Sequence, residues 1–249
     1  MSMHKSAAWR LPIALLVLVA VATATAVLVT LPGREKMPRL GTKSDGRYDF
    51  PRLALPPVPA PTVQDGGDLD AKQLHSADPR TLLLPAPKGA RPAEGGPAAG
   101  SWVDTTAFGK AYLRPEQVTP LVNDIGVRNI AATSWRTADG VRTEIYLLWF
   151  EGPAGRKQFD QDIASGQVPA ALQDEYDLYV LPEPLQRTTA VDQISGRVAK
   201  RPGADGRFAR VAYIDNGDMA AVVVSSGPPG LPRVGFDQTV TLQAQLLRF

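Results

Sequence analysis

Cysteine is absent from the 249 residues, and histidine occurs only twice, at His4 and His75. The first absence excludes a thiol nucleophile, a disulfide framework and a lipid-modified cysteine, so the folded part must stand on its own apolar core. It leaves the redox compartment open, because a cysteine-free chain is at home in either. The scarcity of histidine leaves Ser-His-Asp chemistry one imidazole outside the N-terminal flank, His75, in a Pro-bounded segment ahead of the globular region. No Gly-x-Ser-x-Gly occurs, and the one Ser-x-x-Lys, Ser2 to Lys5, lies in the N-terminal flank. A phosphate-binding loop and a dinucleotide fingerprint are missing as well. Nothing in the sequence announces a reaction, and the expectation is a non-enzymatic protein with no cofactor, no metal and no catalytic residue.

A charge excess of one sign is also lacking. The chain carries 27 basic and 25 acidic residues. Lys5 and Arg10 precede every acid, so the rest of the chain balances 25 bases against 25 acids. A downstream part with no net charge offers no general basic surface to a polyanion, and nucleic acid is not expected as a partner. Locally, Arg34 to Arg52 holds six bases against Glu35, Asp45 and Asp49. Its plain reading is a solvated linker flank, and its sharper one is contact with anionic lipid headgroups.

What is present begins with Leu11 to Leu31, an uncharged run of Leu, Val, Ala, Ile and three Thr. At about 1.5 Å per residue it forms a helix of roughly 30 Å, enough to cross a bilayer core. Pro12 suits the first helical turn. Ala22-Thr23-Ala24 and Ala24-Thr25-Ala26 resemble signal-peptidase sites, which gives a cleaved, secreted protein as the alternative. The apolar stretch runs on through Val29, however, and favours an uncleaved signal anchor. Arg34, Lys36, Arg39, Lys43 and Arg47 would by count place the C-terminal side in the cytoplasm. The short charged N-terminus and the stalk that follows the helix favour the opposite orientation. The expectation is therefore a single-pass cell-membrane protein with residues 1–10 cytoplasmic and the rest extracytoplasmic.

Residues 32–67 read as a Pro/Gly-rich linker, with Leu55-Pro56-Pro57-Val58-Pro59-Ala60-Pro61 as an extended spacer. A domain over 68–249 follows. Thr81-Leu82-Leu83-Leu84 is expected as a first strand or docking segment, and 88–100 as a flexible loop. A turn at Pro115 and a short helix capped by Thr119, with Pro120 at its first position and Gly126 as its stop, come next. The clearest signal is Val127 to Phe150. Two alternating runs flank Asp139-Gly140, and Val141, Thr143, Ile145, Leu147 and Trp149 share one face, which predicts a β-hairpin. The other face of the second strand carries Arg142 and Glu144 and then turns apolar at Tyr146, Leu148 and Phe150, so the strand runs from an exposed end into a covered centre.

Gly152-Pro153 opens a helix to about Ser165, with Phe159 and Ile163 on its buried side. Strands follow near 174–181, 191–200, 207–214 and 219–225, with Asn216-Gly217 as a hairpin turn. The last helix, Asp237 to Phe249, aligns Val240, Ala244 and Leu247. The fold class is α+β, an antiparallel sheet of about five or six strands with helices covering one of its faces.

Possible sites are few. Asp160 and Asp162 point to different sides of a helix. Asp65-Gly66-Gly67-Asp68-Leu69-Asp70 lacks the downstream Glu of a calcium loop, and Asp215 and Asp218 are explained by turn chemistry. Most aromatics are expected in the core. If the domain has a ligand cavity, it should lie beside Trp135, Tyr146 and Trp149, between sheet and helix.

Leu82-Leu83-Leu84-Pro85-Ala86-Pro87-Lys88-Gly89, Ser134-Trp135 before Asp139-Gly140, the Phe150 to Phe159 junction and the Gly217-Asp218 hairpin before a final helix resemble a group of actinobacterial envelope proteins. These are anchored or secreted and of unassigned function, and more distantly similar to extracytoplasmic sensor domains and lipoproteins with a Mog1/PsbP-like fold. The resemblance covers roughly Leu69 to Phe249. This chain lacks the lipobox cysteine of the lipoproteins, the paired cysteines of some sensor domains and any kinase domain. The resemblance implies a sheet flanked by helices and a non-catalytic role, and carries over no functional residue. The expected function is extracytoplasmic binding or sensing, with a small envelope ligand or an envelope protein as partner. A structural part in a membrane complex is the alternative, and an envelope hydrolase a more distant one.

Overall fold

Eight strands in one antiparallel sheet carry the fold of the computed structural model, which describes residues 45–53, 74–173, 175–203, 205–230 and 233–248. All of these but Asp45 belong to one compact unit, Gly46–Phe249. The expected membrane segment Leu11 to Leu31 and most of the linker lie outside the described residues. Among those described, no helix is long and apolar enough to cross a membrane.

The strands are β1 (Arg91–Pro92), β2 (Ser101–Val103), β3 (Val127–Arg136), β4 (Arg142–Phe150), β5 (Tyr176–Leu178), β6 (Gln193–Ala199), β7 (Phe208–Asn216) and β8 (Met219–Gly227). Their spatial order is β1-β3-β4-β8-β7-β6-β5, with β2 also on β3. The long strands are those whose alternation and turn residues announce them. Gly140 takes φ +84° in the β3–β4 turn and Gly217 φ +56° in the β7–β8 turn, as the sequence predicts. Two strands beyond the expected six are β1 and β2, too short to show any alternation.

The helices are α1 (Thr105–Gly109), α2 (Pro115–Asp124), α3 (Pro153–Phe159), α4 (Glu183–Thr189) and α5 (Arg233–Leu246). They cover both faces of the sheet rather than one. On the first face Trp135, Ile145, Leu147, Ile214 and Val223 pack with Phe236, Val240, Ala244 and Leu247. On the second, Tyr146, Leu148, Phe150, Val211 and Val222 pack with Phe108, Val118, Val122, Phe159 and Ile163. The central strands are apolar on both sides over most of their length, so one layer of helices would have left a greasy face in water.

Two helices depart from the regular form. Helix α2 starts at Pro115, not Pro120, and Pro120 sits inside it. The donor that Pro120 lacks would have bonded the carbonyl of Glu116, in the first turn, where that residue is exposed to solvent. Helix α3 runs on through a π-turn over Asp160–Ala164, with the Ser165 amide donating to the Asp160 carbonyl at 2.9 Å.

The segments ahead of the sheet are pinned to the first face. Phe50 sits 6.4 Å from Trp135, ring to ring, so a middle stretch of the expected linker docks on the domain. Gln238 on α5 accepts from the Tyr48 amide at 2.8 Å and donates to its carbonyl at 3.0 Å. Gln243, fully buried, treats Leu84 and Leu82 in the same way, at 2.9 Å each. A primary amide offers donor and acceptor together, so each glutamine satisfies an extended segment as a neighbouring strand would. Leu82, Leu83 and Leu84 thus form a docking segment rather than a strand.

Candidate functional site

On the second face the strand residues change character toward the β3–β4 turn. Phe150, Leu148 and Tyr146 lie under the helices, and Glu144 and Arg142 continue the same row beyond them. Register places Arg136 of β3 opposite Arg142 and Val224 of β8 opposite Glu144. Lys110 and Ala111 follow α1 along the other side. Two adjoining hollows of about 370 and 400 Å³ result, sharing Lys110, Ala111, Arg142 and Glu144. That is the volume range of small-molecule sites.

The groove's inner charges are held in place. Arg142 donates Nε to Glu144 Oε1 at 2.7 Å and Nη1 to the Glu94 carbonyl at 2.5 Å. Tyr146 donates its hydroxyl to Glu144 Oε2 at 2.8 Å. Burial, then the Glu144 charge, push the Tyr146 hydroxyl well above the ordinary tyrosine range, so it stays a donor. Arg207 donates Nη2 to the carbonyls of Gly140 and Ser226, both at 2.7 Å, and so ties the β3–β4 turn to the end of β8. Gly96 closes one wall. A Cβ there would lie 2.4 Å from Ser134 Oγ and 2.9 Å from Arg142 Nη2, so only glycine lets the backbone pass this close.

The three aromatic residues expected beside a cavity are not brought together. Tyr146 lines the groove. Trp135 is buried on the first face, and Trp149, two residues from Leu147 along β4, lies on that face too. Even and odd positions of one strand point to opposite sides, so no single cavity takes all three.

Trp149 belongs to a different cluster. Its indole donates to Asp218 Oδ2 at 2.9 Å, and Asp218 Oδ1 takes the His75 amide at 3.0 Å and His75 Nδ1 at 2.5 Å. His75 Nε2 lies 2.7 Å from the Leu247 carbonyl. With an acceptor at each nitrogen, only the imidazolium satisfies both. Burial opposes that charge, but the bonds to Asp218 and Leu247 outweigh it and raise the His75 pKa. Burial also opposes the Asp218 charge, yet the bonds from His75 and Trp149 prevail and lower its pKa. The pair resembles half of a catalytic triad, but the nitrogen that would serve as base is spent on a carbonyl.

A pH prediction follows for this clasp. The His75 contribution is complete below its unfolded value of 6.5 and is lost as pH rises through the raised folded value. The Asp218 contribution is complete above 3.8 and is lost as pH falls through the lowered one. The difference in melting temperature between the parent and His75→Gln should be widest between those two values and narrow on either side. A difference constant across pH would show that folding shifts neither pKa.

A third polar cluster lies under α3. Arg156 donates Nε to the Gly217 carbonyl at 3.2 Å and Nη2 to Asp192 Oδ2 at 3.4 Å, and its Nη1 stands 3.8 Å from Asp215 Oδ2. Asp215 is buried, and its Oδ1 has no partner among the described residues. Among those residues no set of three or more His, Cys, Asp or Glu is placed to hold a metal ion.

No family model matches this chain, and neither does any curated protein. Among solved structures it is similar to the extracellular domain of PknH from Mycobacterium tuberculosis, at 13% identity and a TM-score of 0.41, over 67% of this chain and 91% of that one.

Proposed function

We propose that this chain is a non-enzymatic, membrane-anchored, extracytoplasmic binding or sensor-like protein of the cell envelope, with the groove on the second face as its binding site. The observation that carries the reading is the uncovered end of that face. There Arg142 and Arg207 are fixed before any ligand arrives, each by backbone carbonyls of another segment. Side chains already ordered lose little freedom when a ligand binds, which is what a recognition site requires. Leu11 to Leu31 supports the anchor, and the short charged N-terminus supports the outward orientation.

Protease treatment of intact, wall-stripped cells tests the placement. The C-terminal domain should be lost from a membrane-bound chain. Protection would reverse the orientation and move the partners to the cytoplasm, and release of a shortened chain into the medium would mean a cleaved signal peptide.

A protein partner in an envelope complex has one observation of its own. β5 ends the sheet, and Leu178 and Val180 beside that edge are 82% and 63% exposed. An exposed strand edge with apolar side chains suits addition of a partner's strand.

A further inference from the structure

We propose that the groove binds a small phosphate-bearing ligand of the glycerol phosphate class, its phosphate held by Lys110 and Arg136 and its body laid on Ala111, Ala170 and Val224. The proposal names the ligand class of the site above and rests on that reading.

Lys110, Arg136, Arg142 and Arg207 line one hollow against Glu144 and Asp205, a net of two positive charges in a domain whose other residues carry a net negative charge. The two acids are not spread evenly. Glu144 neutralises Arg142 at 2.5 Å, whereas Asp205 stands 3.9 Å from Arg207, whose stronger bonds go to uncharged carbonyls. Among the described residues, neither the Lys110 ammonium nor the Arg136 guanidinium has an acidic or hydrogen-bonding partner, and both are exposed at the mouth. The outer cations are free to close on an anion, and of the inner arginines Arg207 adds fixed positive charge beneath them.

Charge decides the class. A phosphate monoester carries about −1.5 to −2 at neutral pH, matching the uncompensated charge, and a single carboxylate would leave half of it unmet. Lysine as a point charge and arginine as a planar fork are the usual pair for phosphate oxygens. Size decides against a polymer. A hollow of about 370 Å³ holds a headgroup or a small phosphorylated molecule, and the net-acidic remainder of the domain offers no track for a nucleic-acid backbone. The small apolar side chains on the floor suit a three-carbon body or the first carbons of a lipid.

The test uses the full chain in nanodiscs of phosphatidylcholine, read by hydrogen exchange of peptides covering Lys110, Arg136 to Glu144, and Val224 to Ser226. Glycerol 3-phosphate should slow exchange there, and binding should weaken at least tenfold in Lys110→Glu and in Arg136→Glu. Lys157→Glu, an exposed cation on α3, should change nothing. Both groove positions are exposed, so these variants keep the fold. If glycerol 3-phosphate is inert but phosphatidic acid in the nanodisc protects the same peptides, the phosphate belongs to a lipid headgroup and the proposal stands. If neither protects them, or protection falls elsewhere, the ligand class is overturned. A small-molecule extract of the envelope then separates the two claims. Protection of the groove that is lost in the charge-reversed chains keeps the binding site without the phosphate, and no protection removes both.

Discussion

Replacing Arg197 with methionine should lower the unfolding free energy by about 3 to 5 kcal/mol, the loss expected when three buried carbonyls lose their shared donor. Arg197 sits on β6 with 6% exposure and faces no carboxylate. Its Nη1 donates to the Gln167 carbonyl at 2.6 Å, and its Nη2 to those of Ala164 and Ser165 at 2.5 and 2.9 Å. These carbonyls end the π-turn after α3, where helix geometry leaves acceptors without donors and partial negative charge collects. The guanidinium also lies 4.7 Å from the centre of the Tyr176 ring, an added stabilisation for a flat cation. Methionine fills part of the volume and donates nothing, leaving three acceptors that each cost about 1 to 3 kcal/mol when buried unmet. Lysine restores the charge without the fork and should recover only part of the loss. Urea unfolding of the three chains checks this. A loss below about 1 kcal/mol would show that water reaches the carbonyls and that Arg197 acts as an ordinary surface residue.

The role of Arg197 illustrates what the sequence makes legible. The β3–β4 hairpin, the strands β6 to β8 and the Val240, Ala244, Leu247 stripe are local signals, readable because alternation, turn glycines and helical spacing repeat within a few residues. Helix α4 escapes because its seven residues, with Pro182 and Pro184 at the start, show no apolar stripe, although Pro184 occupies the second helical position, where its missing donor costs nothing. The covering of both faces is visible only in part, as the row from Arg142 and Glu144 into Tyr146, Leu148 and Phe150. That row marks the groove's inner end, while Lys110, Arg136 and Arg207 reach the same hollow from other segments through strand register and one bridging guanidinium. The bond from His75 to Asp218 spans 143 residues. No periodicity reports such a pairing, so a histidine that looked like a pre-domain residue proves to be the clasp of that segment.

Asp215→Asn should stabilise the protein, and the gain should depend on pH. Burial, with the Asp160 charge behind it and the Arg156 guanidinium opposing, pushes the Asp215 carboxyl up to about 7. The unfolded chain ionises this group near 3.8, so between these values the native state holds a proton that the unfolded state has released. Stability attributable to Asp215 is therefore highest in acid, falls as pH rises from 3.8 toward about 7, and is level above. Three pH units at about 1.4 kcal/mol each set the total at no more than about 4 kcal/mol. Asparagine keeps the shape and carries no charge, so the variant should match the parent near about pH 4 and exceed it by several kcal/mol at about pH 8. Arg156 retains Asp192 and the Gly217 carbonyl in either chain, so the substitution does not strand it. Urea unfolding at three pH values decides the matter. A variant less stable than the parent above neutrality would mean that the Asp215 charge holds Arg156 in place, and a gain independent of pH would mean that the carboxyl ionises alike in the folded and unfolded chains. The expected curve would make Asp215 the group through which the domain changes its stability as its surroundings pass through neutral pH, on the same face as the groove and at the opposite end of the strands that build it.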